Sequence, residues 1–151
     1  MNSDRARLYL LSLSHVVETL QWGGLLFWVG DKAIGGKMCA IVSLEDLSDG
    51  GLGGVISYPA GPERFAELVE MEGVDPARYL ARAHWVSAQR WDVFRKSEWE
   101  TELGAAYALT LGKLPPKTRG VLELSKAELK AAVLAGRKTL AMREAAKRAK
   151  S

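Results

Sequence analysis

Hydrophobic and polar positions change their rhythm three times along this chain. At the start, Ser3 or Asp4 suits the cap of a helix running to about Leu13. Apolar residues then come in short runs, "LLFWVG", "GKMCAIVSL" and "GVISY", separated by nine glycines between Gly23 and Gly54. Runs of this length bounded by Gly and Asp read as strands, with "GDKAIGG" and "SDGGLGG" as turns. Connections this short cannot hold parallel crossovers, so the pattern predicts an antiparallel meander. Pro62 then opens a helix with Phe65, Leu68 and Val69 on one face, ended by "GVDP". "AHWVSAQ" reads as a further strand, and Ser97 with Glu100 as the capping box of a helix over 98–111. Strands gathered first with helices around them give the α+β class, an antiparallel sheet packed against helices in two layers.

The rhythm changes again at "GKLPPKTRG", where Pro115 and Pro116 stop a helix. All the aromatic residues lie between Tyr9 and Tyr107. The chain therefore divides into an α+β domain over 1–119 and a basic helical extension over 120–151. In the extension, Ser125 and Glu128 form a capping box. Leu129, Val133, Gly136 and Leu140 make one narrow apolar stripe. At 100° per residue, Lys126, Lys130 and Arg137 fall within about 40° along one edge of it. Past Leu140, Arg143 and Lys147 rotate onto the stripe itself. The helix is expected to dock on the domain, or on a second copy or protein partner, as far as Leu140, with its last turns in solvent.

Charge reinforces that division. The 151 residues carry a net charge of +3. Residues 1–112 hold 10 Lys and Arg against 15 Asp and Glu, and residues 113–151 hold 11 against 3. Attraction to nucleic acid is therefore expected mainly from the C-terminal quarter. The single Cys39 forms no internal disulfide and fits a reducing compartment. No apolar run approaches the roughly 18 residues of a membrane span. The expectation is a soluble, cytoplasmic protein.

Candidate chemistry is sparse. "GDKAIGGKM" approaches a phosphate-binding loop, but Gly36 stands where the lysine belongs and Met38 where a magnesium-binding hydroxyl belongs. His15, Cys39 and His84 have no paired-ligand spacing, so no metal is expected. Ser43, Ser57 and Ser87 lack a nucleophile-elbow setting. In "ARAHWVSAQRW", a strand over 83–89 places His84, Val86 and Ala88 on one face, the setting of a packed structural histidine. Arg78, Arg82 and Arg90 flank it. No catalytic residue and no cofactor are expected, and the chain does not read as an enzyme.

The segments "WGGLLFWVGDKAIGGKM", "GPERFAELVE", "GVDPARYLARAHWVS" and "AAYALTLGKLPPKTR", in this order, resemble the MmcQ/YjbR family of small bacterial proteins. The resemblance covers roughly Leu8 to Arg119, and "HWV" and "LPPK" are its most telling parts. It implies a CyaY-like α+β domain and DNA binding through a double wing of β-hairpins. The chain departs from the family pattern at "VISYP", which lacks a common lysine, at Cys39 and at Ala106. The hairpin "SLEDLSDGGLGG", with Glu45, Asp46 and Asp49, is acidic where a wing reader would be basic. The leading function is DNA binding of low sequence specificity through phosphate contacts. Its candidate contacts are Lys37, Arg82, Lys117, Arg119, Lys126, Lys130 and Arg137. The alternative is a protein-interaction or chaperone-like adaptor that uses the sheet face. A small-ligand pocket lined by Trp22, Trp28 and Trp85 is a third reading.

Overall fold

The glycine-separated apolar runs become neighbouring strands of one sheet. A computed structural model describes residues 1–44 and 53–150. The acidic hairpin read at Glu45, Asp46 and Asp49 lies outside the described residues, as does most of the "SDGGLGG" turn. The strands are β1 (Val16–Gln21), β2 (Gly24–Val29), β3 (Lys37–Ser43), β4 (Ile56–Pro59), β5 (Val74–Pro76) and β6 (Trp85–Ala88). They form a six-stranded sheet in the order β1-β2-β3-β4-β6-β5, and every pairing is antiparallel. The helices are α1 (Ser3–Ser12), α2 (Pro62–Leu68), α3 (Lys96–Lys113), α4 (Pro116–Leu122) and α5 (Lys126–Ala149). The architecture is α+β.

Several local readings need correction. Asn2 caps α1, its side-chain oxygen accepting from the Arg5 amide at 2.9 Å, because it stands one position outside the first helical residue. The α3 helix begins at Lys96, where the Glu98 carboxylate accepts from the Arg95 amide at 3.0 Å; Ser97 and Glu100 are already inside it. Strand β1, "VVETLQ", has no clean apolar alternation because Glu18 points toward the helices. Arg7 of α1 grips that carboxylate at 2.8 and 2.6 Å, which makes the inward charge tolerable. Strand β5 is only three residues long and ends in Pro76, so it reads as a helix stop. His84 precedes β6 in a left-handed conformation, φ 62°, and is not a strand residue.

One face of the sheet packs on α1 and α3. Phe27, Val42, Ile56, Tyr58 and Val86 meet Leu10, Trp99 and Leu103 there. Trp99 is fully buried and edge-on to Tyr58, Trp91 and Phe94, with centroids 6.3, 5.3 and 5.0 Å away. Its indole N–H donates to the Trp91 carbonyl at 2.7 Å, so burial leaves no polar group unpaired. Deleting such a side chain costs about 3–5 kcal/mol. Between β2 and β3 the register shifts from Phe27↔Ala40 to Trp28↔Met38. Cys39 is the extra residue of that bulge, and both Cys39 and Ala40 join the core.

The other face carries a smaller cluster of Leu26, Ile41 and Trp85, closed by Ala77 and Leu80 from the segment before β6. The chain after Pro115 returns to the domain. α4 crosses residue 119, its Leu122 sits in the main core, and its Thr118 hydroxyl donates to the Ile34 carbonyl at 2.8 Å. α5 opens with the Ser125 hydroxyl accepting from the Glu128 amide at 3.2 Å. Its Leu129, Val133, Gly136 and Leu140 are half-buried, and every residue from Ala141 to Lys150 is exposed.

Candidate nucleic-acid interface

The connection from β2 to β3 organises the basic end of the molecule. Asp31 starts a short 3-10 turn over Lys32–Ile34, its carboxylate accepting from the Ala33 amide at 2.9 Å. Gly35 follows at φ 91°, and a Cβ on Gly36 would collide with the Gly30 carbonyl, so the turn closes only with these glycines. Two helices converge on it. α4 reaches it through Thr118 and Ile34, and α5 lies against it at Ala33. The end of α3 borders the start of β3 across one shared groove.

Lys37 and Lys113 flank that groove, a cavity of about 160 Å³ with Met38, Trp85 and Thr110 among its walls. Arg82 precedes Ala83, another wall residue. Lys117 stands beside Thr118 on α4, and Lys126 and Lys130 begin α5. Lys37, Arg82, Lys117, Lys126 and Lys130 are all exposed, and among the described residues none of them forms an ion pair.

The remaining two candidates are also exposed but are hydrogen-bonded within the chain. Arg119 donates to the carbonyls of Leu114 and Gly112, both at 3.1 Å, and so closes the C-terminal end of α3. Arg137 pairs with Asp31 at 2.6 Å and fastens α5. Sequence reasoning missed Lys32 and Lys113, which the β2–β3 turn and the last turn of α3 bring to the same end. Both are exposed. Beyond Leu140 the docked stripe of α5 continues as Arg143 and Lys147, exposed where the helix leaves the domain.

Other singled-out residues fall elsewhere. His84 sits edge-on to Phe65, ring centroids 5.5 Å apart, and its carbonyl accepts from the Ala60 amide at 2.9 Å. It joins the start of α2 to β6. Trp28 and Trp85 belong to one cluster, whereas Trp22 is exposed at the tip of the β1–β2 hairpin. Burial pushes the Cys39 thiol up to about 12. Among the described residues, no three potential metal ligands converge, and no helix is long and apolar enough to cross a membrane.

Against known proteins, the model of the family described as YjbR matches residues 11–109. The crystal structure of Deinococcus radiodurans protein DR2400, described as a DUF419 domain, is similar with a TM-score of 0.67 and 23% identity. That similarity covers 82% of this chain and 89% of the other, and it shows a shared fold. No curated protein matches the chain.

Proposed function

The chain belongs to the YjbR family, and on that footing we propose that it is a non-enzymatic protein that binds DNA through phosphate contacts, with low sequence specificity. The observation that carries this reading is a set of exposed cations at one end of the sheet that form no ion pair among the described residues. Lys37, Arg82, Lys117, Lys126 and Lys130 come from β3, the segment before β6, α4 and α5. The fold gathers them although they are distant in sequence. The groove between Lys37 and Lys113 gives a phosphate two ammonium groups, and the overhanging turns of α5 add Arg143 and Lys147. Lysines act here as point charges, which suits backbone recognition rather than the reading of base edges.

The acidic balance of residues 1–112 fixes the orientation. Duplex DNA would approach the basic end and α5, and be repelled from the rest. The adaptor reading has a narrower footing, because Ala77 and Leu80 already cover much of the second sheet face.

Titration with duplex DNA at two salt concentrations tests the proposal. Five phosphate contacts give a slope of log affinity against log salt near −4.5, or roughly a 500-fold loss between 50 and 200 mM. Binding that ignores salt, or no binding at 50 mM, contradicts it.

A further inference from the structure

Strand β1 ends the sheet and pairs only with β2 among the described residues. Trp22 and Gly23, at φ 54° and 73°, make the two-residue turn between them, and Gln21 faces Gly24 as the closing pair. That pair exchanges hydrogen bonds, so Glu18 and Leu20 aim their backbone N–H and C=O groups outward, whereas the Val16 N–H already donates to the Leu13 carbonyl at 3.3 Å. Protein edges of this kind are ordinarily blunted by lysine, proline or a bulge. β1 has none of these; its one charge, Glu18, points inward, the milder form of such protection, and is neutralised by Arg7.

Apolar side chains line this open edge. Val17 is 37% exposed, Leu20 70% and Trp22 66%. Trp22 is out of place twice over, because a type I′ turn prefers Asn or Gly at its position and a bulky residue there is strained. At the opposite end of β1 lies a cleft of about 310 Å³ between the strand and α5. Val17, Ile34, Leu129, Val133 and Leu134 line it, with Lys130 among the lining residues. One molecule thus carries an exposed aromatic knob at one end of a free strand and an apolar hole at the other.

We propose that two copies of the chain pair antiparallel through β1 about a twofold axis at Thr19, each placing Trp22 at the cleft of the other. In that register Thr19 faces Thr19, Glu18 faces Leu20, Val17 faces Gln21, and Val16 faces Trp22. Each indole then arrives beside Val17 at the mouth of the cleft, where Lys130 can lie over its face. A register centred on Glu18 would set two carboxylates opposite each other, which disfavours it. Knob and hole are related by a single twofold operation, the self-complementarity of an isologous interface. The occupant of this edge is therefore a second copy.

Sedimentation velocity on the full chain over a concentration series tests this with two substitutions. Trp22→Asn relieves the left-handed strain, so its melting temperature holds or rises while dimerisation weakens by roughly 30-fold, as for a central interface anchor. Thr19→Cys places two thiols across the axis, and mild oxidation yields a disulfide-linked dimer, with Cys39 buried and out of competition. A wild-type chain that stays monomeric throughout the series overturns the proposal. So does Trp22→Asn with unchanged dimer affinity, or Thr19→Cys that fails to cross-link.

Discussion

Arg137 on α5 donates to the Asp31 carboxylate in the β2–β3 connection at 2.6 Å, across 106 residues of chain. The preceding residue, Gly136, lies so close to the same connection that a Cβ would sit 2.5 Å from the Ala33 carbonyl oxygen. Charge pairing and close backbone approach together hold α5 on the turn that gathers the basic residues. The helix is thereby part of the candidate interface and not a loose tail, at least as far as Leu140.

Gly136→Ala follows from that contact. Helix propensity alone would stabilise α5 by about 1 kcal/mol. The collision with Ala33 is predicted to reverse the sign, destabilising the protein by about 1–3 kcal/mol. Urea unfolding reads the sign, and hydrogen exchange over 129–140 should quicken. A variant more stable than the wild type would show that α5 does not dock here.

Tyr58 offers a contrary case. Its hydroxyl is buried and has no hydrogen-bond partner among the described residues. Tyr58→Phe keeps the ring against Trp99 and removes an unsatisfied group, so stability should hold or rise by up to about 1 kcal/mol. A loss of that size in urea unfolding would mean that the hydroxyl does have a partner.

Alkaline stability should depend on Cys39. Burial raises its pKa from an ordinary value of 9.0 to about 12. The unfolded chain therefore releases the thiol proton first, and stability falls as pH rises from about 9 toward 12. At about 1.4 kcal/mol per unit, the loss approaches roughly 3 kcal/mol by pH 11. Burial also raises the pKa of Tyr58, which adds to the decline above its ordinary range. Cys39→Ala should flatten the profile between pH 9 and 11 in thermal unfolding; an unchanged profile would place the titration elsewhere.

Much of this fold could be read from pattern, and the exceptions have physical causes. The three glycine-bounded runs pair as an antiparallel meander, as their contiguous apolar residues predict. The α5 stripe of Leu129, Val133, Gly136 and Leu140 docks, and burial ends at Leu140 as the helical spacing predicts. β1 is not legible in the pattern because an inward Glu18 breaks its alternation, and only the long-range partner Arg7 explains it. The pattern puts His84 on a strand face because its left-handed backbone has no mark in the sequence. At the candidate site, exposed lysines were legible as charge. Arg119 and Arg137 were not separable from them, since their partners are a helix end and a carboxylate far away in the chain. Lys113 carries no local mark, because nothing near it in sequence says that α3 ends beside Lys37.

The salt dependence of DNA binding, compared between the wild type and a Lys37→Gln, Lys117→Gln, Lys130→Gln variant, tests the account at its centre. All three side chains are exposed and make no ion pair among the described residues, so the fold should be unaffected. Each lost phosphate contact reduces the slope of log affinity against log salt by about 0.9, so the variant's slope should be shallower by roughly 2.7. Its affinity at low salt should fall uniformly across DNA sequences. A folded variant with the wild-type slope and affinity would contradict the assignment of DNA binding to the basic end of the sheet.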